Sequence, residues 1–396
     1  MSAAVEIKNP GHYQVSSRTK GLFFAAFVVG ALLFVLGLVQ DAERAWYSFV
    51  WNQFFFMSLA VGGLVFTAIQ FATSAMWSAA VRRIMESFTA YLPVAIVMFV
   101  VLAFGIHHLY HWSHTEAVMK DMVLSHKSGY LNTTFFVIRS IVVGLLFLFF
   151  AHKIVGNSLA QDQDGNIEHT NKNKVLSPIF LIVFALGYTL LSFDHLMSLD
   201  AHWFSTMFGV YNVAGMFYST LALICLIAIW LRRAGALNGI VTDEHLHGLG
   251  KFMFGFTVFW AYIGFSQFLL IWYANLPEET GYFIRRFEGG WFWVSVFLIV
   301  GKFVFPFLYL LPVDQKRKES SLVFIGIYML ICQWIDVGWM VQPEYSPTGP
   351  SLSYIELGTL VGFIGLFGLT VTRFMGRHNI LAVGDPRLAE SLVHHQ

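Results

Sequence analysis

Charge is what this sequence has least of. Asp, Glu, Lys and Arg make up 12% of its 396 residues, against 57% hydrophobic. Soluble domains carry about 25% charged residues, so an apolar core wrapped in a water-facing surface is excluded and the chain reads as an integral membrane protein. Neither sign is in excess, since the formal net charge is +1, and nothing points to nucleic acid as a partner. Cysteine is nearly absent: Cys225 and Cys332 stand far apart inside apolar runs. That rules out a CxxC pair, a haem-attachment motif and an iron–sulfur ligand set, so a redox centre would have to be borrowed from elsewhere. Alternation of apolar and polar residues is missing too, which excludes a transmembrane barrel.

What is present is a series of apolar runs of spanning length, rich in Phe (41) and Trp (12). About 20 apolar residues cross a bilayer as a helix. Runs near 21–40, 47–71, 87–109, 133–151, 176–195, 207–231, 251–274, 290–312, 321–341 and 353–373 predict an all-α protein of about ten spans. The first run follows Lys8, Arg18 and Lys20 but is too long for a signal-peptide core, and reads as a retained helix. Of the 24 Lys and Arg, the loops opposite the termini hold only Arg44, Lys120, Lys127, Arg285 and Arg286. Arg139 and Lys302 lie within spans, and every other one falls on the side of the termini. The positive-inside rule therefore predicts a multi-pass protein with both termini cytoplasmic. The stretch 153–174, with QDQDGNIEHTNKNK, lacks apolar periodicity and reads as a hydrophilic cytoplasmic connector or a docking surface.

Internal similarity suggests two four-helix units, 47–195 (spans two to five) and 207–341 (spans six to nine), flanked by spans one and ten within a single polytopic domain, 1–396. Trp51-Asn52 matches Tyr211-Asn212, Gly105 with Trp112 matches Gly264 with Trp272, and Phe193-Asp194 matches Ile335-Asp336. Units of even helix number make parallel repeats about an axis along the membrane normal. Pro93, Pro178 and Pro306 fall at or within helices and predict kinks or starts.

Ionisable groups inside spans are costly and persist when paired or when they line a hydrated path. Asn52, Gln53, His107, Arg139, Asp194, Gln267, Gln333, Asp336 and Glu356 map to the outer half, whereas Lys302 lies roughly 12 residues into its span, about 18 Å deep. Arg139, Asp194 and Asp336 are natural partners, either as glue between helices or as a site. Lys302 has no acid near it in sequence and reads as a relay on a hydrated path, joined inward through Thr67, Gln70 or Glu86 and outward to Arg139, Asp194, Asp336 and His107. Glu356 reads either as part of that path or as the acid of a helix first turn. His107, His111 and His114 share one face if the third span continues outward. No further ligand accompanies them, so they read as a titrating interfacial face, solvated or passing protons outward.

The run from Phe193 to Tyr211, FDHLMSLDAHWFSTMFGVY, concentrates Asp194, His195, Asp200, His202 and Trp203 between two very apolar spans. It is either a site or an acid-capped helix end anchored by Trp203. Together with HHLYHWSH and the ten-span layout, it resembles the smaller, ActF-type, of the two related membrane subunits of bacterial alternative complex III. These belong to the wider polysulfide-reductase-like and NrfD-like family. The resemblance covers essentially the whole chain. It implies a subunit of a menaquinol-oxidising complex that passes electrons to cytochrome c or an oxidase, with no redox centre of its own. Partners implied are a sister quinol-oxidoreductase membrane subunit, an iron–sulfur subunit, c-type cytochrome subunits carrying haem c, and a terminal oxidase, besides lipid. Menaquinone is the implied quinone. The sister subunit is the better quinol site in that family; here His108, Asp200, His202 and Trp203 are the quinone-proximal candidates. A proton-coupled secondary transporter with parallel repeats is the alternative from another class, and would need a midplane pocket between broken helices.

Overall fold

The computed structural model describes residues 9–393. Among them ten helical segments are long and apolar enough to cross a membrane: α1 (Ser17–Gln40), α2 (Ala42–Ala72), α3 (Arg82–Ala103), α4 (Thr133–Asp164), α5 (Ile167–Leu199), α6 (Met207–Arg233), α7 (Asp243–Ala274), α8 (Trp291–Leu310), α9 (Glu319–Tyr345) and α10 (Tyr354–Met375). Ten crossings put the start of α1 and the end of α10 at one end of the molecule, here the terminal end. Local chemistry sets the helix limits. Asp41 caps α2 through Arg44 N–H (3.0 Å). Asn132 caps α4 through Phe135 N–H (2.9 Å), and Ser353 forms a capping box with Glu356 at α10.

α2 is the most enclosed helix and α1 the least. One group packs as α2 on α3 and α5, α3 on α4, and α4 on α5; a second as α6 on α7 and α9, with α8 against α7 and α9. The groups meet where α2 and α5 touch α6 and where α2 touches α9. Apolar helices gain nothing from leaving lipid for one another, so packing and hydrogen bonds must hold this seam. Trp51 stacks on Trp334 with centroids 4.0 Å apart, Trp51 Nε1 donates to the Trp334 carbonyl (2.7 Å), and Trp334 Nε1 donates to Asn52 Oδ1 (2.9 Å). Gly338 makes room, because a Cβ there would sit 2.3 Å from the Trp51 ring. Nearby, Tyr188 of α5 shares a hydrogen bond with Ser58 of α2 (2.7 Å).

α1 lies along α10, its main contact. The close crossing is a glycine matter: a Cβ on Gly30 would come 2.2 Å from Gly362 Cα. Gly358, Gly362 and Gly365 share the facing stripe, the small-residue packing expected in lipid.

Several sequence readings change. The stretch 153–174 is helical: α4 runs to Asp164 and α5 begins at Ile167, with Gly165 at φ 65° closing the turn. Length carries both helices past their apolar parts, and polarity alone does not unwind a helix that starts from a packed one. The third span runs 82–103, beginning and ending earlier than 87–109. Beyond Gly105 the chain forms only a short helix, Ile106–Leu109, then a 3₁₀ turn, His111–Ser113. His107, His111 and His114 therefore do not share a continuous helical face. The Gly105/Trp112 and Gly264/Trp272 match also fails, since Trp112 is buried and Trp272 exposed.

Candidate functional site

Prolines and a π-turn build the polar centre of the second group. Residues Leu298–Val304 of α8 form a π-helix, with Pro306 following. Pro306 has no N–H, and that missing donor together with the change from π to α period leaves the carbonyls of Gly301 and Lys302 to accept from side chains. Tyr328 Oη donates to the Gly301 carbonyl (3.0 Å) and Tyr218 Oη to that of Lys302 (3.2 Å). The widened turn holds Lys302 inward and fully buried. Its Nζ donates to Asp336 Oδ2 and to Gln333 Oε1, each at 2.6 Å, and lies 4.1 Å from the Trp260 ring centroid. Asp336, also fully buried, accepts from Tyr211 Oη (2.5 Å) and Trp260 Nε1 (3.2 Å). Thus the acid that sequence distance hid from Lys302 is Asp336, 34 residues on.

The first group carries its own pair on the corresponding helices, third and fourth. Arg139 of α4 holds Asp194 of α5 bidentately, Nε–Oδ2 at 2.7 Å and Nη2–Oδ1 at 3.0 Å. Arg139 also donates to the Tyr130 carbonyl (2.9 Å) and stacks at 3.8 Å on the Tyr130 ring. All of this closes the pair off on both sides. Asp336 is therefore a partner of Lys302, not of Arg139. The two acids are not at equal depth either: Asp194 is the penultimate residue before the α-helix ends at His195, whereas Asp336 lies about two turns further in from the same end. His195 is buried beside Asp194 with its ring between Phe99 and Phe136, and its Nε2 meets Ser140 Oγ (2.9 Å).

The other candidates lie elsewhere. Glu356 completes the α10 capping box and pairs with Arg44 (2.7 Å). That is the helix-start reading, and the structure places it in neither polar cluster. Glu86 sits near the terminal end, ion-paired with Arg83, which also reaches Asp162 (2.6 Å). Thr67 bonds back to the Gly63 carbonyl (2.8 Å). His107 and His108 are exposed, and His107 Nδ1 meets Ser113 (3.1 Å), so His107 does not join the outer cluster with Arg139 and Asp194. His202 pairs with Asp121 (2.6 Å); the hydrogen bond from that imidazole holds the Asp121 carboxyl below its usual range. Asp200 is ion-paired with Arg285, which also meets Glu344 (3.3 Å).

Trp203 is the most telling of these. It is buried and stacks at 3.8 Å on Tyr282, a residue of the short amphipathic helix Pro277–Phe287. Arg286 covers the same ring, its guanidinium carbon 3.4 Å from the centroid. Arg286 in turn donates to the carbonyls of Trp339 (3.1 Å) and Met340 (3.0 Å). Pro343 explains why: it denies the Trp339 carbonyl its helical donor, and a buried carbonyl in a membrane helix needs another. Gln333 shows in the sequence only as one polar group within a span; Tyr211, Trp260 and Tyr282 do not stand out as site residues, because among so many aromatics only their convergence distinguishes them. No protein-family model matches this chain, and no curated protein matches it.

Proposed function

We propose that the chain is a multi-pass subunit of a bacterial inner-membrane quinol-oxidising complex of the alternative complex III type, with both termini cytoplasmic, and that it handles protons at Lys302 and Asp336. The observation that carries the proton role is the Lys302–Asp336 pair itself, fully buried, held in a π-turn, and bonded only by groups that can donate or accept: Gln333, Tyr211 and Trp260. A buried lysine and carboxylate can exist as an ion pair or, after one proton moves, as a neutral hydrogen-bonded pair, and π-turns recur at functional positions. The subunit assignment rests on the resemblance of the Phe193–Tyr211 and HHLYHWSH runs. It implies menaquinol as the reductant of the complex and haem c and iron–sulfur clusters in its partner subunits. The Arg139–Asp194 pair is shut in by Tyr130 and Phe135, and is assigned to holding α4 against α5.

The test is Lys302→Met, which keeps chain length and removes the titrating group, in the assembled complex. Quinol turnover should survive while protons translocated per electron fall; Asp336→Asn should act in the same direction. Assembled variants that translocate protons like the parent would return both residues to a purely structural role. The secondary-transporter alternative is separated by reconstituting the purified chain alone: solute accumulation driven by a pH gradient would support it against the subunit reading.

A further inference from the structure

A cavity of about 420 Å³ opens beside the Lys302–Asp336 pair. Tyr211 and Trp260, which hydrogen-bond Asp336, form part of its wall, and Phe283, Leu298 and Trp339 line it further. Exposed Phe265 and Ile299 flank the mouth between α7 and α8, facing outward. Its size falls among pockets that enclose small lipophilic molecules. Two polar atoms on this wall have no hydrogen-bond partner: Gln267 Nε2 and the Tyr282 hydroxyl. Both residues are at least nine-tenths buried, at 5% and 4% exposure. Both groups can donate: Gln267 Nε2 is an amide nitrogen, and the Tyr282 hydroxyl, pushed above its usual range by burial, stays protonated. The remaining polar wall groups are matched: Tyr211 and Trp260 on Asp336, and Ser295 Oγ donating to the Arg286 carbonyl (2.6 Å) and accepting from Trp339 Nε1 (2.8 Å).

Buried donors left unmatched are expensive, and two on one apolar wall mark where an acceptor belongs. A second cavity, about 590 Å³ and walled by α1, α2, α6, α9 and α10, makes the contrast. Its Thr372 hydroxyl bonds within its own helix, Trp334 Nε1 is taken by Asn52, and neither wants a ligand. Tyr282 is moreover fixed in place, with Trp203 stacked at 3.8 Å and Arg286 at 3.4 Å from its ring, so its hydroxyl is presented rigidly.

We infer that the cavity between α7, α8 and the helix Pro277–Phe287 binds a lipophilic molecule through a carbonyl oxygen, which accepts from Gln267 Nε2 and Tyr282 Oη, with its chain leaving past Phe265 and Ile299 into the lipid. An acyl ester of a phospholipid and a ring carbonyl of a membrane quinone share this chemistry. The assignment stands whether or not the chain is a subunit of a quinol-oxidising complex.

Two photoreactive probes separate the sources: a diazirine-tailed phosphatidylcholine and an azido-quinone with an isoprenoid tail, each applied to protein purified from its own membrane, with labelled peptides mapped by mass spectrometry. One probe should label peptides around Gln267 and Leu298 saturably, competed by its own unlabelled parent, and the successful probe identifies the source. Ala261→Phe, which fills the cavity, should cut that labelling at least about tenfold, with labelling of α1 unchanged. Tyr282→Phe keeps the stacked ring and removes one donor, so half-saturation should rise about fivefold. If neither probe saturates at these peptides, or if both variants label like the parent, the site does not exist as described.

Discussion

Breaking the Lys302–Asp336 pair from one side differs from removing it whole. In Lys302→Met the Asp336 carboxylate keeps Tyr211 Oη at 2.5 Å and Trp260 Nε1 at 3.2 Å but loses its counter-charge. In Asp336→Asn the ammonium keeps Gln333 Oε1 at 2.6 Å. Either single change strands a buried charge, at a cost of about 3 to 5 kcal/mol. In the double variant no charge remains, and the amide oxygen introduced by Asp336→Asn still accepts from Tyr211 and Trp260, so the cost should fall below that of either single. The cycle then yields a coupling of at least about 2 kcal/mol, roughly 30-fold in an equilibrium constant. Polar pairs between membrane helices average only about 0.6 kcal/mol in such cycles, so the size of the coupling tells a charged pair from a neutral one. The assay is reversible unfolding of the purified chain in mixed micelles, with all four members of the cycle at one pH. Additive singles, or a coupling near the neutral value, would refute the picture of a dry ion pair and leave a pair that has already shared its proton.

Further perturbations follow from the packing. Gly362→Leu puts a branched side chain where α1 and α10 cross and should release α1, read as new protease or cysteine-labelling access along Phe23 to Leu33 with the rest of the bundle intact. Arg286→Met strips the Trp339 carbonyl of the donor that Pro343 cannot supply, and takes a second donor from the Met340 carbonyl, and should cost about 3 kcal/mol in the same unfolding assay; adding Pro343→Ala, which restores a helical N–H, should recover about 1 kcal/mol of it. Trp334→Phe keeps the stack on Trp51 but frees Asn52 Oδ1, with an expected loss of about 1 kcal/mol. Lys316→Met leaves the carbonyls of Leu310, Leu311 and Pro312 without their shared ammonium, and should fray the end of α8, seen as faster amide exchange there with α7 unchanged.

Composition and run length were enough to determine the all-α, ten-span character, because a bilayer permits a single-chain span of this composition only as a helix of about 20 residues. Sequence also made Arg139, Asp194, Lys302 and Asp336 conspicuous, since a charge inside an apolar run stands out wherever its partner lies. Which charge meets which was beyond it. Lys302 and Asp336 sit on different helices, brought together by a π-turn whose period no hydropathy pattern records. Polarity misled at 153–174, where two helices simply outrun their apolar parts, and helical spacing misled at His107, His111 and His114, where Gly105 ends the span. Glu356 was legible both ways, and the capping box with Ser353 and the Arg44 pair decided it. The cavity could be seen only in three dimensions: Tyr211 comes from α6, Trp260 and Gln267 from α7 and Tyr282 from the helix Pro277–Phe287, and an unmatched donor is defined by what fails to pack against it, a property of the folded neighbourhood and not of any residue in the chain.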